Sequence, residues 1–559
     1  MKIALAQINV IAKQFTQNFL QIEKMIQEAK TQNAEVIVFP ALALSGFAAE
    51  HEFMNRNWTA TINSFNNRIK MMSDDILIIW GNIQEKNEVL TQCAYACFNQ
   101  EYLVEGLEKE VNINNRYYDE KRYFKNVESI SSTFLYKEKK MGISFADENR
   151  ELECEYHIVL DQTPWTKKHE FESAQYSAKH LVYVNACGMQ TIGKAVWVLD
   201  GASTYYQNGE SKTACNDAFQ EELIFSDQNI SFKTPTKLLD ALTQGIFYFD
   251  QQILPFKPRW IVGLSGGLDS SISAAILVRA LGKERVIGYN LATKNNSTKT
   301  IDNAKQLADF LEIEYRTGSI QEDVSATEKT LKEYQYLDTY PRLVYENLQA
   351  RLRGHILSTF ASVENGVVIN NGNKVETALG YCTMYGDSIG AIGMLGDITK
   401  VELFELANEI NAYFKKEVIP INLLPTIKED TILWETRPSA ELSEGQLDPM
   451  KWYYHDYLLE MILKEGVEEI LASYLDKRIY EKEIGKWIQY YQLDNGGDFI
   501  DDLEWFLSTM EKNQFKRIQS VPGIVVSDAI IGIDFPETQG VAERSERYKI
   551  LREKITNKM

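Results

Sequence analysis

Apolar residues follow two rhythms along this chain. From Met1 to about Asp227 they gather in short runs, KIALAQINV, AEVIVFP, DDILIIWGNI, HIVLDQTP, HLVYVNA and KAVWVLD, which read as strands. Between some of these the spacing lengthens to a helical one. In residues 18–32, Phe19, Ile22, Met25 and Ile26 share one face. The stretch VLTQCAYACFNQEYLVEG alternates and then breaks at polar residues, as a hairpin does. The first part of the chain is therefore expected to be a layered α/β domain. A polar join, FSDQNISFKTPTK, leads into a helix from about Lys237 and places a boundary near residue 235. Beyond it WIVGLSGG, ERVIGYNLA and GVVINNG are strands separated by helical segments, the pattern of a parallel doubly wound sheet. After about Trp452 the chain becomes helix-rich and charged, an extension of the second domain running from 453 to 559.

A length of 559 residues with 44% hydrophobic and 25% charged residues suits two globular domains and a tail. The net charge of −20 excludes a general nucleic-acid or anionic-membrane surface. It leaves room for small anions held by local cations, backbone amides and a divalent metal. No apolar stretch reaches the roughly 18 residues of a membrane span. The opening MKIALAQINVIAKQF reads as a strand rather than a leader. Cys93, Cys97, Cys154, Cys187, Cys215 and Cys382 are scattered without metal-ligand spacing, so they are expected to be core thiols in a reduced cytoplasmic protein.

The most informative segment is WIVGLSGGLDSSISAAILVRAL: a buried strand, a glycine- and serine-rich turn, then a helix with apolar Ile272, Ala275, Ile276 and Ala280. Gly266 and Gly267 let the backbone approach an anion, and the amides of the next helix face it. Ser265, Ser270 and Ser271 add hydroxyls. The loop has no lysine and is not a Walker A motif. It resembles the SGGxDS loop of the N-type ATP pyrophosphatases, which bind the pyrophosphate of ATP and expel it. That resemblance implies that Asp269 helps hold Mg2+ on the leaving group.

Further segments narrow the likeness. ENLQARLRGHIL from Glu346, NNGNKVETALGYCTMYGDSIGAIGMLGDITKVELFELA from Asn370, RPSAEL from Arg437 and FKRIQSVPGIVVSDAIIG from Phe515 resemble the signatures of NAD synthetases. The resemblance implies a doubly wound, adenine nucleotide alpha hydrolase-like synthetase domain in residues 236–559. It implies ATP, Mg2+ and deamido-NAD as ligands, and ATP-driven amidation through an acyl-adenylate. Residue by residue, it assigns Ser265, Gly266, Gly267, Asp269, Ser270, Ser271, Asn371 and Lys400 to ATP. Asn347, Arg351, Glu376 and Lys516 go to deamido-NAD, and Asp269 and Glu376 to Mg2+. A homo-oligomer is also implied. Two departures stand out: Asn371 replaces the family's threonine, and LATKNNST puts Ala292 where proline is usual.

The first domain, residues 1–235, resembles the nitrilase-like, αββα glutaminase of glutamine-dependent NAD synthetases. The likeness rests on KIALAQINV, VIVFPALALSGF, the DEKRYF run from Asp119 and VYVNACG. That family uses a Glu, Lys and Cys triad. Here Ala41 stands at the glutamate position, Lys109 at the lysine and Ala146 at the cysteine. Asn112, Ile113, Asn114 and Asn115 replace the Leu-Pro-Asn-Tyr that normally follows the lysine. A methyl group can neither attack an amide nor carry a proton, so a silent glutaminase is expected, with ammonia, free or from a separate donor, as nitrogen source. Cys154 or Cys187 as a substitute nucleophile, with His157, His169 or His180 as base, is the alternative that keeps glutamine. A non-catalytic nucleotide-binding scaffold is a third.

Overall fold

The computed structural model describes all residues except 127–131, 149, 169, 229, 231–236, 335–340, 429–430, 440, 444–445, 536, 539 and 558–559. His169, Ala440 of the RPSAEL run and the boundary expected near residue 235 therefore lie outside the described residues. The chain divides into two compact units, Met1–Tyr248 and Phe249–Met559.

Unit 1 contains two six-stranded sheets. The first is built from β1 (Ile3–Gln7), β2 (Val36–Val38), β3 (Leu77–Lys86), β4 (Val89–Phe98) and β5 (Glu101–Glu108). The second holds β6 (Thr133–Tyr136), β7 (Lys139–Phe145), β8 (Tyr156–Leu160) and β9 (His180–Val184). A hairpin follows, β10 (Cys187–Ile192) with β11 (Ala195–Asp200). Then β12 (Thr204–Gln207) and β13 (Glu210–Ala214) complete the second sheet, and β14 (Glu222–Phe225) returns to pair with β1. Both sheets turn apolar faces into one core: Leu5, Val38 and Ile79 from the first meet Ile143, Ile158 and Val182 from the second. The predicted hairpin is β4–β5. Its turn residues Asn99 and Gln100 both take positive φ, +49° and +60°, which fits the right-handed twist of the strands.

Helices α1 (Phe15–Thr31) and α2 (Arg56–Lys70) cover the first sheet, α1 burying the expected face of Phe19, Ile22, Met25 and Ile26. The α layer expected on the other side is replaced among the described residues. Connections 146–155 and 161–179 contain only the 3-10 turn Ser173–Gln175, and Phe171 and Tyr176 lie over Val159, Leu181 and Tyr183. The run ADENRELECE has no apolar stripe to seat a helix. The single turn α3 (Glu120–Tyr123) lies between β5 and β6, and α4 (Leu238–Ile253) follows β14.

Unit 2 is the expected parallel sheet: β15 (Arg259–Gly263), β16 (Val286–Ala292), β17 (Glu314–Ser319) and β18 (Gly366–Val368) run in the order β17-β16-β15-β18. β17, with mostly exposed residues, lies at the edge and showed no apolar pattern in the sequence. Helices α5 (Leu268–Leu281), α6 (Thr298–Leu311), α7 (Gln321–Glu333), α8 (Arg342–Val363), α9 (Lys374–Leu379) and α10 (Lys400–Phe414) follow. α8 packs Leu357 and Phe360 on the sheet, yet leaves Leu343, Val344 and Val363 exposed. The extension is helical as expected: α11 (Tyr454–Lys464), α12 (Val467–Leu475), α13 (Ile484–Tyr490), α14 (Gly496–Lys512) and α15 (Gln514–Ile518), around buried Tyr454, Trp487, Phe499 and Phe506.

Candidate functional site

In the order β17-β16-β15-β18 the chain reverses direction of travel between β15 and β18, and ligands of such sheets bind beyond the strand ends at that reversal. The glycine- and serine-rich turn leaves β15 there. Gly266 has φ +81°, and a Cβ on it would sit 1.8 Å from the carbonyl oxygen of Thr300, so no other residue fits. Gly267 opens α5 with no side-chain cap, leaving that helix end to an outside anion. Ser265 Oγ accepts from the Gly267 amide at 3.2 Å and is exposed. The hydroxyls expected as ligand donors at Ser270 and Ser271 are instead donated to the Gly267 carbonyl, at 3.2 and 2.7 Å, and hold the loop in shape.

In the first turn of α5, Asp269 meets Lys400, which opens α10. Lys400 Nζ lies 2.5 Å from Asp269 Oδ1, and Asn373 Nδ2 donates to Asp269 Oδ2 at 2.9 Å. Asn373 also caps α9, its side chain accepting from the amides of Val375 and Glu376. Burial opposes the charge on Lys400, but Asp269 and Glu376 outweigh it and hold its pKa above the ordinary value. Glu376 is pushed up to about 8, first by desolvation and then by Asp269. Asp448 is pushed up to about 6 for the same two reasons, with Lys400 pulling the other way. Sequence reasoning missed Asp448. Its only signal was a carboxylate in the GQLDP run shortly after RPSAEL.

Among the described residues no three His, Cys, Asp or Glu side chains form a group that could hold a metal alone. Magnesium in phosphate sites needs fewer, since one or two carboxylates suffice when phosphate oxygens and water complete the octahedron. Asp269 and Glu376 fit that requirement, because the Asp269 charge raises the cost of ionising Glu376 and a cation between them would relieve it. A pH dependence follows. The folded state holds the Glu376 proton more tightly than the unfolded chain does, so between pH 4.5 and about 8 this group makes stability fall as pH rises. In calorimetry Glu376→Gln is expected to flatten that decline. An unchanged slope would show that Glu376 is not its source.

Of the residues expected on the dinucleotide side, Glu376 lies in the first turn of α9 with the Asp269 cluster, while Asn347 and Lys516 make their contacts beyond the other end of that helix. Asn347 Oδ1 accepts from Thr383 Oγ1 at 2.8 Å, and Lys516 Nζ donates to the carbonyls of Gly380 and Cys382 at 2.9 and 2.7 Å. α9 itself has six residues, about 9 Å of helix. Arg351 is exposed and donates to the Met384 carbonyl at 3.3 Å. Arg353 is the inward arginine: it donates to Leu291 O at 3.0 Å and Asn296 Oδ1 at 3.1 Å, and burial lowers its pKa to about 10. Asn371 donates weakly to Gly263 O at 3.5 Å, while its buried Oδ1 has no hydrogen-bond partner among the described residues. Lys374, also unanticipated, is a buried anchor between Glu460 at 2.6 Å, Asp397 at 3.1 Å and Ser527 at 2.9 Å.

In unit 1 the three expected triad positions do converge. The amides of Ala41 and Ala146 donate to the adjacent carbonyls of Asp161 and Leu160, both at 3.2 Å, and Lys109 pairs with Asp147, the neighbour of Ala146, at 2.8 Å. Gly81 is required beside them, since a Cβ there would lie 2.5 Å from the Ala41 Cα. Lys109 is buried and also bound to Glu120 at 2.7 Å. Burial opposes its charge, yet Asp147 and Glu120 hold its pKa above the ordinary value. The altered loop closes over this cluster: Asn115 Nδ2 and the Asn112 amide each donate to Glu120 Oε2 at 3.2 Å, and Asn112 Nδ2 to Asp147 Oδ2 at 3.3 Å. Neither alternative thiol is activated. Burial pushes Cys154 up to about 11 and Cys187 well above its ordinary value. His157 is buried against Ser144 Oγ at 2.8 Å, and His180 against the Tyr205 hydroxyl at 2.7 Å.

Comparison with known proteins agrees with both halves. The carbon-nitrogen hydrolase family model matches residues 2–230 and the NAD synthase model residues 254–493. The chain is 28% identical over 518 residues to the glutamine-dependent NAD(+) synthetase of Acinetobacter baylyi, covering 86% of this chain and 92% of that one. Over 215 residues it is 38% identical to the NH(3)-dependent NAD(+) synthetase of Methanosarcina acetivorans, covering 37% of this chain and 75% of the relative. Its fold matches the crystal structure of a glutamine-dependent NAD(+) synthetase from Cytophaga hutchinsonii with a TM-score of 0.77 at 17% identity, over 99% of both chains.

Proposed function

Since the chain belongs to the NAD synthase family, whose members are carbon-nitrogen ligases, we propose that it converts deamido-NAD to NAD with ammonia taken directly, its carbon-nitrogen hydrolase-like unit being catalytically silent. The observation that carries the donor assignment is the pair of alanines, Ala41 and Ala146, at the convergent triad positions beside a fully ion-paired Lys109.

In the proposed reaction a nicotinate carboxylate oxygen attacks the α-phosphorus of ATP and pyrophosphate leaves. Ammonia then adds to the acyl carbon of the adenylate, AMP departs, and the nitrogen loses a proton. Gly266, Gly267 and the start of α5 cradle the leaving pyrophosphate, with Ser265 at the mouth of the loop and Ser270 and Ser271 bracing it. Lys400 turns from Asp269 to a phosphate oxygen. Mg2+, held by Asp269 and Glu376, would neutralise phosphate charge. Asn371 offers its open acceptor to the nucleotide. Asn347 and Lys516 orient deamido-NAD, with Arg351 at the rim. The exposed Leu343, Val344 and Val363 of α8 support a homo-oligomer. Six cysteines without a disulfide suit a reducing cytoplasm, and among the described residues no helix is long and apolar enough to cross a membrane.

The direct test is pyrophosphate release with ATP, Mg2+, deamido-NAD and ammonium, each omitted in turn. Release independent of deamido-NAD would defeat the reading. On the dinucleotide side, Lys516→Ala is expected to raise the KM for deamido-NAD roughly ten- to hundredfold, as for loss of a charged hydrogen bond, and that for ATP far less. Equal changes in both would place Lys516 elsewhere. Truncation after about residue 510 is expected to inactivate, since it also strips Ser527 from buried Lys374.

A further inference from the structure

Lys400 sits where physical chemistry disfavours it twice. It is the first residue of α10, at the positive end of the helix dipole, and it is buried. Asp269 offsets part of this. Glu376 and Asp448 add their charges, and the ring of Trp452, itself 3% exposed, lies 5.2 Å from Lys400 Nζ as a further partner.

The turn that presents this ring is strained and held from several sides. Tyr453, the next residue, has φ +71° and ψ −54°, the rare γ-turn region that L-residues avoid. Asp456 holds it by accepting from the Tyr453 amide at 2.7 Å and, through its other oxygen, from the Lys400 amide at 2.6 Å. The Lys451 amide donates to His455 Nδ1 at 2.9 Å, and His455 Nε2 donates to Asp502 Oδ1 at 2.9 Å. Lys451 Nζ pairs with Asp502 as well. Tyr491 donates its hydroxyl to the Trp452 carbonyl at 3.1 Å, and the Tyr453 ring stacks between Phe404 and Trp487. A non-glycine residue held in such a conformation by so many partners points to a use for the strain.

We propose that Trp452 is a positioning residue for Lys400, a ring face along which the ammonium swings from Asp269 in the free enzyme to a phosphate oxygen of ATP. A cation–π contact has no fixed hydrogen-bond direction, so it persists through the swing while an oxygen acceptor could not. The inference rests on the reading that Lys400 meets the ATP phosphates. His455, Asp502 and Tyr491 act through Trp452.

The test measures ATP and deamido-NAD affinities and steady-state kinetics for Trp452→Leu, Trp452→Phe, Tyr491→Phe and Lys400→Met. Trp452→Leu is expected to weaken ATP binding roughly three- to thirtyfold and to leave deamido-NAD binding unmoved. Trp452→Phe, which keeps a ring face, is expected to stay within about threefold of the parent protein. Tyr491→Phe removes one hydroxyl and shifts ATP affinity in the same direction by less. Unchanged ATP affinity in Trp452→Leu, parallel losses for both substrates, or a phenylalanine variant no better than the leucine one would overturn the proposal. Should the leucine variant not fold, unchanged ATP affinity in Tyr491→Phe would do so. Lys400→Met that still adenylates deamido-NAD would overturn the reading beneath the proposal. Loss of adenylation in Lys400→Met beside an unaffected Trp452→Leu would overturn the proposal alone.

Discussion

With ammonium as nitrogen source the protein is expected to form NAD, and with carefully ammonia-free glutamine it is expected to form none. Glutamine hydrolysis at this site would need a nucleophile, a proton carrier and an oxyanion partner. Methyl groups stand at the first two positions, and the third, Lys109, is bound to both Glu120 and Asp147. Removing a nucleophile from a coupled catalytic group costs several orders of magnitude. The loss extends past side chains, because among the described residues no α-helix follows Ala146 in 146–155, so a thiol placed there would lack a helix N-terminus to lower its pKa. Ala41→Glu with Ala146→Cys is therefore expected to remain inactive on glutamine. Asn112 and Asn115 still close the Lys109 cluster in that variant, and a carboxylate at the 3% exposed Ala41 position would have to fit among packed neighbours. The measurement follows glutamate release and NAD together. Stoichiometric formation of both from glutamine would show a living site and remove the donor assignment.

How much of this was legible beforehand depended on how local the signal was. The phosphate loop was readable because a buried strand, two glycines and a helix start lie within a dozen residues. Gly266 is fixed by a contact that any side chain would violate. Quoted strands such as KIALAQINV and WIVGLSGG were found because buried strands write continuous apolar runs. Edge strand β17, EYRTGS, writes none, being largely exposed. The centre around Lys400 was only half visible. Asp269, Glu376 and Lys400 fall in recognisable motifs, whereas Asp448 and Trp452 lie in a stretch without periodicity and matter only because the chain folds back onto α10. The same limit applies to the two arginines of ENLQARLR. They are two apart on a helix and so face different ways, and only the fold shows that Arg353 turns inward while Arg351 stays in solvent. The proposed silence of unit 1 was legible in the sequence itself, since the methyl groups of Ala41 and Ala146 offer neither nucleophile nor proton carrier. The closure of its loop by Asn112 and Asn115 needed the structure.

Asp269→Asn is expected to lower the rate of pyrophosphate release at least about a hundredfold while leaving the fold intact, a loss of about 3 kcal/mol of transition-state stabilisation. The carboxylate serves two donors now, Lys400 Nζ on one oxygen and Asn373 Nδ2 on the other. An amide has one acceptor oxygen, so one of these donors must face its NH2 group, and Lys400, buried beside it, loses its nearest counter-charge. When ATP binds, the same substitution removes one of the two carboxylates proposed to hold Mg2+ against the pyrophosphate. The variant has a second signature. Asp269 is the largest charge effect raising Glu376 toward about 8, so its neutralisation lets Glu376 ionise at lower pH. The stability of the free variant is then expected to fall less steeply between pH 4.5 and 8 than that of the parent protein. Measuring both separates two outcomes. A slow enzyme with the flattened pH profile confirms that Asp269 and Glu376 share one electrostatic site. Near-normal turnover would remove Asp269 from the chemistry, and an unaltered profile would separate it from Glu376.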